Sequence, residues 1–346
     1  MKTVLVTGGA GFIGSHTCLA LLEAGKKVVV VDNLANSSRE ALTRVEKITG
    51  QNLEFLEIDL CNKKALAAVF SKHTIDAVIH FAGLKAVGES VNKPLHYYQN
   101  NVHGSLNLFE LMQEAGVRDL IFSSSATVYG DPDAVPIPET AKLAPTNPYG
   151  QSKLMTEIIL RDLIASDPEG RAGWRIALLR YFNPVGAHSS GLIGEDPNDT
   201  PNNLLPYIAR VGVGSLPELA VFGDDYPTRD GTGVRDYIHV MDLAEGHLAA
   251  LQWLTQQTPG QSIGDVFNLG TGMGNTVLEV IKAFEVQSGK KIPYKIVGRR
   301  PGDIAECYAD VSKAERVLGW KAKRGLNEMM SDAWRWQKNN PKGYRT

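Results

Sequence analysis

The run Gly8-Gly9-Ala10-Gly11-Phe12-Ile13-Gly14 follows directly on Thr3-Val4-Leu5-Val6-Thr7, an apolar stretch that reads as a buried strand, and opens a segment with helical character. A strand that turns through glycines into a helix leaves unpaired N–H groups at the helix start, where the dipole also favours an anion. The glycines permit the tight turn and a close approach of the backbone to a pyrophosphate. GxGxxG is satisfied from Gly9 and GxxGxxG from Gly8, and the strand-loop-helix setting is what gives the spacing weight. This predicts a dinucleotide site at the carboxyl end of a first parallel strand.

Runs rich in valine, isoleucine and leucine recur at Val4 to Thr7, Val28 to Asp32, Leu53 to Asp59, Ala77 to Phe81, Leu120 to Ser124 and Arg175 to Arg180. Between them lie stretches of helical periodicity, such as Leu106, Phe109 and Leu111 ahead of the stop signal Gly116. Strands alternating with helices argue for right-handed crossovers. The expected class is α/β, a doubly wound parallel sheet of the Rossmann type with a smaller α/β C-terminal substrate domain. At 346 residues the chain exceeds what one hydrophobic core usually sustains. Residues 1–184 are expected to form the dinucleotide lobe. Beyond Phe182-Asn183-Pro184 the chain becomes rich in Gly, Pro and Asn, and residues 185–346 are expected to hold substrate. Val266 to Gly270 reads as a strand again, so segments near 235–270 are expected to return to the first lobe.

Lysine and arginine number 36 against 38 acidic residues, a formal net charge of -2. That argues against bulk attraction to nucleic acid or an anionic membrane, and neither is expected as a partner. Cys18, Cys61 and Cys307 form no CxxC pair, and the eight histidines no HxxxH or HExxH. No disulfide framework and no metal are expected, and the thiols suit a reducing, cytoplasmic compartment. The initial strand leaves no room for a signal segment, and no apolar run approaches the ~20 residues needed to span a bilayer.

Asp32 ends the second strand about twenty residues beyond the loop, where a carboxylate can accept from an adenosine ribose and repel a 2′-phosphate, favouring NAD over NADP. Asp59, after the third strand, can similarly reach the adenine. Tyr149 in Asn-Pro-Tyr-Gly-Gln-Ser-Lys is the one tyrosine with a lysine, Lys153, four residues on. At that spacing phenol and ammonium are neighbours on a helix, and Pro148 suits the helix entry. A nearby cation is expected to lower the phenol from its usual ~10 towards a working base. An amphipathic helix start with a surface lysine would show the same residues.

With the glycine loop, Asp32, Ser123-Ser124-Ser125 after a strand, and Tyr149 with Lys153 all in order, the chain resembles the extended short-chain dehydrogenase/reductase family. The likeness narrows to its UDP-sugar 4-epimerases on Asp32-Asn33-Leu34, His80 to Ser90, Ser123 to Gly130, Arg180 to Ala187 and Gly231 to Leu243, which spread over nearly the whole chain. The resemblance implies tightly held NAD and interconversion of UDP-galactose and UDP-glucose through a 4-keto sugar. It makes Tyr149 the base, has Lys153 lower its pKa and bind the nicotinamide ribose, and has Ser125 hold the sugar hydroxyl. For the cofactor it implies Gly8, Gly11, Phe12, Ile13 and Gly14, then Asp32, Asn33, Asn36 and Ser37. Asp59, Leu60, Phe81, Ala82, Gly83, Lys85, Asn100 and Phe182 follow, beside Tyr149 and Lys153. For the UDP-hexose it implies Ser125, Tyr149, Asn183, Asn203, Leu204, Ala220, Val221, Phe222, Tyr237, Asp303 and Cys307, with Arg235 and Arg300 clamping the diphosphate. It also implies a homodimer through helices near residues 95–115 and 149–166.

Two other readings compete. A nucleotide-sugar 4,6-dehydratase or decarboxylase on this scaffold needs a further acid or base after the motif's serine or threonine, where this chain has Ala126-Thr127. A non-catalytic NAD sensor could dispense with Ser125, Tyr149 and Lys153, all of which are present. Cys307 stands where some members of the family carry a bulky tyrosine, and the smaller side chain leaves volume for an N-acetyl group. UDP-N-acetylglucosamine and UDP-N-acetylgalactosamine are therefore expected as further substrates; a small buried residue without a role in selectivity would look the same.

Overall fold

Val4, Leu5 and Val6 are fully buried one after another, because the first strand is covered on both faces, as parallel strands inside an α/β sheet are. The computed structural model describes residues 2–167, 173–197, 201, 203–258, 260–300 and 302–345. Its first half runs Thr3–Thr7 (β1), Phe12–Glu23 (α1), Lys27–Asp32 (β2), Arg39–Thr49 (α2), Glu54–Glu57 (β3), Lys63–Lys72 (α3) and Ala77–His80 (β4). Val87–Asn92 (α4), Pro94–Tyr97 (α5), a π-helix at Tyr98–His103, Gly104–Glu114 (α6), Asp119–Ser125 (β5), Pro148–Ala165 (α7) and Arg175–Tyr181 (β6) complete it. The second half contains Asn183–Val185 (β7), Leu204–Gly212 (α8), Leu219–Phe222 (β8), Val234–His239 (β9), Val240–Gln256 (α9) and Ile263–Leu269 (β10). Gly274–Thr276 (β11), Val277–Ser288 (α10), Tyr294–Val297 (β12), Glu306–Cys307 (β13) and Leu326–Asn339 (α11) follow.

The main sheet has seven strands in the order β10-β6-β5-β4-β1-β2-β3, every neighbouring pair parallel. From β1 the chain winds outward to β3, then crosses to β4 and winds the other way. The loops after β1 and β4 therefore diverge and leave a crevice at the strands' carboxyl ends. One face is closed by α1 and α9, through Leu19, Leu22, Leu251 and Leu254, and the other by α3, α6 and α7, through Leu66, Leu108 and Leu160.

A smaller body lies over the crevice. There β11, β9 and β13 form one sheet with β7 beside β9, and β12 pairs with β8. Helices α8, α10 and α11 close a separate core around Ile208, Phe284 and Met330. The chain enters this body after β6, returns through α9 and β10, and leaves again at β11. Among the described residues no helix is long and apolar enough to cross a membrane.

Candidate active site

Helix α7 begins at Pro148 because Asn147 caps it, its side chain accepting from Gly150 N at 2.9 Å. Tyr149 thus sits in the first turn and Lys153 in the second, both over the end of β5. Lys153 is 6% exposed, donates to Ser123 O at 2.7 Å and lies 5.0 Å from the Phe122 ring centre. Burial lowers its pKa to about 8, and the charge of Glu157, one turn further along α7, works against that fall.

The expectation that the adjacent lysine lowers the phenol is corrected here. Burial raises the Tyr149 pKa; a hydrogen bond with Ser125 and the charge of Lys85 oppose the rise. Lys153 is committed to a strand carbonyl, and the cation that acts on the phenol is Lys85, from the loop after β4. Lys85 in turn pairs with Glu195 at 3.1 Å; burial works against its charge, but Glu195 prevails and its pKa is raised. Glu195 also accepts from Asn203 Nδ2 at 3.0 Å, so one carboxylate joins the two lobes at the cleft.

Ser125 ends β5, and its oxygen accepts from Thr127 N at 3.2 Å and Thr127 Oγ1 at 2.9 Å. Both donors come from the residue two places on, so the hydroxyl hydrogen of Ser125 is free to point elsewhere.

The glycine loop fits a pyrophosphate. Gly8 has φ +70°, a region that favours glycine, and a Cβ there would lie 2.7 Å from Ala82 N. A Cβ on Gly14 would overlap the Gly8 carbonyl. Asp32 accepts from Ala10 N at 3.0 Å, Leu34 N at 2.9 Å and Ser37 Oγ at 2.8 Å. It therefore ties the glycine loop to the 34–37 loop, holding Leu34 at φ +56°. Asp59 accepts from Asn33 Nδ2 at 2.9 Å and Cys61 N at 2.8 Å; burial works to raise it, but these bonds leave its pKa below the usual value.

From this loop a single cleft of about 820 Å³ runs past Tyr149 to the second lobe. It brings together all the cofactor, catalytic and substrate residues named from the sequence. At the far end Arg300 stacks on Phe222 at 4.4 Å, and Arg235 lies 3.8 Å from Asp303. Pro301, between Arg300 and Asp303 in the sequence, lies outside the described residues. Cys307 of β13 is in register with Arg235 of β9 and lines the same wall. Sequence reasoning missed Thr127, Glu195 and Tyr226; the phenol oxygen of Tyr226 is buried on the cleft wall and has no hydrogen-bond partner among the described residues. The partners of Glu195 lie in other segments, and the contact of Thr127 with Ser125 depends on a turn geometry that no spacing rule encodes. Among the described residues no cluster of three or more histidine, cysteine or carboxylate groups is placed to hold a metal ion.

The arrangement offers a glycine loop at one end, two guanidinium groups, Arg235 and Arg300, at the other, and a phenol with a neighbouring hydroxyl in the same cleft. The chain is similar to known proteins along nearly its whole length. The family described as GDP-mannose 4,6 dehydratase matches over residues 5–333. The UDP-glucose 4-epimerase of Bacillus subtilis (strain 168) is 61% identical over 343 residues, 99% of each chain. The crystal structure of UDP-glucose 4-epimerase from Bifidobacterium longum in complex with NAD+ and UDP superposes with a TM-score of 0.94 at 55% identity, over 99% of this chain and 100% of that one. The UDP-Glc/GlcNAc 4-epimerase of Campylobacter jejuni gives a TM-score of 0.83 at 38% identity, over 98% and 100%.

Proposed function

Since the chain belongs to the UDP-glucose 4-epimerases, within the broader GDP-mannose 4,6 dehydratase family, we propose that it is an NAD-dependent 4-epimerase that interconverts UDP-galactose and UDP-glucose. The observation behind this reading is the cleft itself, which sets Ser125, Tyr149 and Lys153 between the glycine loop and the Arg235–Arg300 end.

The residues that would hold NAD are the glycine loop at the pyrophosphate, Asp32 at the adenosine ribose, Asp59 with Asn33 at the adenine, and Lys153 at the nicotinamide ribose. When bound, NAD would supply the acceptor and donor of hydride for the sugar C4′. Tyr149 takes the proton of the sugar 4′-hydroxyl, which Ser125 holds within transfer distance, and returns it at the end. Lys85 supplies the positive field, and Ser125 the hydrogen bond, that favour a phenolate against burial. Arg235 and Arg300 grip the diphosphate while Phe222 and Tyr237 frame the nucleotide. With the nucleotide anchored, the 4-keto sugar can turn over in the space bounded by Cys307 and present its other face.

Elimination is the rival chemistry. Ser125 is followed by Ala126, buried, and by Thr127, whose hydroxyl already serves Ser125, so no carboxylate stands where a dehydratase needs its second acid. Cys307 leaves room beside the sugar, and UDP-N-acetylhexosamines are proposed as further substrates.

The working form is proposed to be a homodimer in the cytoplasm. What supports the dimer is a group of exposed apolar side chains on neighbouring helices: Val91 and Leu95 of α4 and α5, Leu106 of α6, and Met155 and Ile158 of α7. The free thiols of Cys18, Cys61 and Cys307 suit a reducing compartment.

The deciding experiment gives purified protein UDP-galactose or UDP-N-acetylgalactosamine with no added NAD and identifies the products. The C4 epimer is expected in each case, and no epimer from either would refute the central reading. Tyr149→Phe is expected to keep NAD and lose nearly all turnover.

A further inference from the structure

Tyr149, Lys153 and Glu157 are spaced four apart on α7, so they lie in a row along one face. Each meets one of three consecutive serines at the end of β5. Tyr149 hydrogen-bonds with Ser125, Lys153 donates to Ser123 O at 2.7 Å, and Ser124 Oγ donates to Glu157 Oε1 at 2.5 Å. The first two contacts belong to the proton-transfer site; the third has no part in the mechanism above.

Glu157 is fully buried and accepts from Arg180 Nε at 2.9 Å and Nη2 at 2.7 Å, and from Arg161 Nη2 at 2.9 Å. Arg180, on β6, is itself fully buried; its remaining donors reach Tyr129 OH at 2.9 Å and Glu139 O at 3.1 Å. A fork of this kind is an expensive way to stabilise a fold, since hydrophobic replacements of buried ion pairs are often neutral or better. Its place one turn below Lys153 points to another use.

We propose that Glu157 is a positioning residue of the proton-transfer site, which pins the β5 serines to α7 and supplies the carboxylate that holds Lys153 as an ammonium, with Arg180 as the counter-ion that makes a carboxylate tolerable there. This rests on the assignment of Tyr149 and Lys153 as the catalytic pair. The groups around Lys153 leave Glu157 as its source of negative charge. His80 of β4 is neutral, burial and the Lys153 charge holding its pKa at about 3. Burial holds the Tyr181 phenol of β6 well above its ordinary value. The β5 serines are uncharged, Lys85 acts on Tyr149, and Arg180 is turned to Glu157 and Tyr129. Burial and Glu157 are the influences that set the Lys153 ammonium near pH 8.

The test compares Glu157→Gln with Ser124→Ala, reading the pH profile of kcat and, independently of turnover, the 15N NMR titration of the Lys153 ammonium in the NAD-loaded protein. Glu157→Gln should move the alkaline limb of kcat and the NMR midpoint down together by about one pH unit, the scale on which one neighbouring charge acts. Ser124→Ala, which keeps the carboxylate, should leave both in place. Should Glu157→Gln fail to fold with Arg180 left unpaired, Glu157→Gln/Arg180→Met removes both charges and should shift both readouts in the same direction. A midpoint and limb that stay at the wild-type values in whichever variant folds would overturn the proposal. If Tyr149→Phe retained full activity, the catalytic assignment would fail instead, and the NMR midpoint would still report on Glu157.

Discussion

Thr127 gives both its backbone N–H and its hydroxyl to the Ser125 oxygen, at 3.2 and 2.9 Å. With two donors pointing in, the hydroxyl hydrogen of Ser125 is left to point outward, towards Tyr149. Thr127→Val keeps the N–H donor and loses the hydroxyl. We expect kcat to fall roughly tenfold, about 1.4 kcal/mol of barrier, with the bound NAD content unchanged and with recovery in Thr127→Ser. Equal kcat in the valine variant would remove Thr127 from this role.

Cys307→Tyr tests the sugar pocket. The added ring is expected to suppress turnover of UDP-N-acetylgalactosamine by at least ~10-fold, the scale of misfit in a shaped pocket, while UDP-galactose is spared. Parallel assays on both substrates decide it, and equal retention of the two activities would rule out a gate at this position.

At Gly8 an alanine must take a left-handed backbone, costing ~1–2 kcal/mol, and its Cβ would press on Ala82 N. Gly8→Ala should therefore be purified with little or no NAD and unfold at lower temperature. A variant that retains full cofactor, measured by absorbance after denaturation, would contradict the placement of the pyrophosphate.

His16, His80 and His247 are buried neutral, with pKa values lowered by burial to about 3, 3 and 4. The unfolded chain titrates them near ~6.5, so below that value it binds more protons than the native state. Their contribution to stability is present above ~6.5 and is lost as pH falls, by up to about 1.4 kcal/mol per unit for each histidine. Urea unfolding should show a lower midpoint at pH 5.5 than at pH 7.5, and equal midpoints would show that the three are not buried neutral.

The apolar group on α4 to α7 includes Leu95, 75% exposed, and Ile158, 46% exposed. If these faces meet a second copy, Leu95→Glu with Ile158→Glu should yield a monomer in light scattering without loss of secondary structure. A wild-type protein that is already monomeric would dispose of the dimer.

Features that depend on short-range pattern were legible in the sequence. Buried parallel strands show as unbroken valine and isoleucine runs, the glycine loop as a spacing, and the α7 entry as Pro148. The strand expected at Val266 to Gly270 is real but longer, spanning Ile263–Leu269, because Ile263 continues the pairing with Arg175 on β6 beyond the apolar run. What stayed hidden depends on which segments meet. Lys85 and Tyr149 are far apart in the chain, and their electrostatic contact exists because the loop after β4 faces the α7 start. Glu157 and Arg180 are likewise joined by the packing of α7 on β6. The π-helix carrying Asn100 could not be read either, since its wider hydrogen-bond spacing leaves the apolar pattern nearly helical.

The main sheet is completed only by β10, which the chain supplies after it has already built half of the second body. A fragment ending near residue 184 would leave β6 with a bare edge and α1 without its cover from α9. The two bodies are thus not cassettes that recombination can trade at one seam. New sugar preferences in such an enzyme have to arise by changing side chains along the cleft wall, one position at a time, on a frame that is inherited whole.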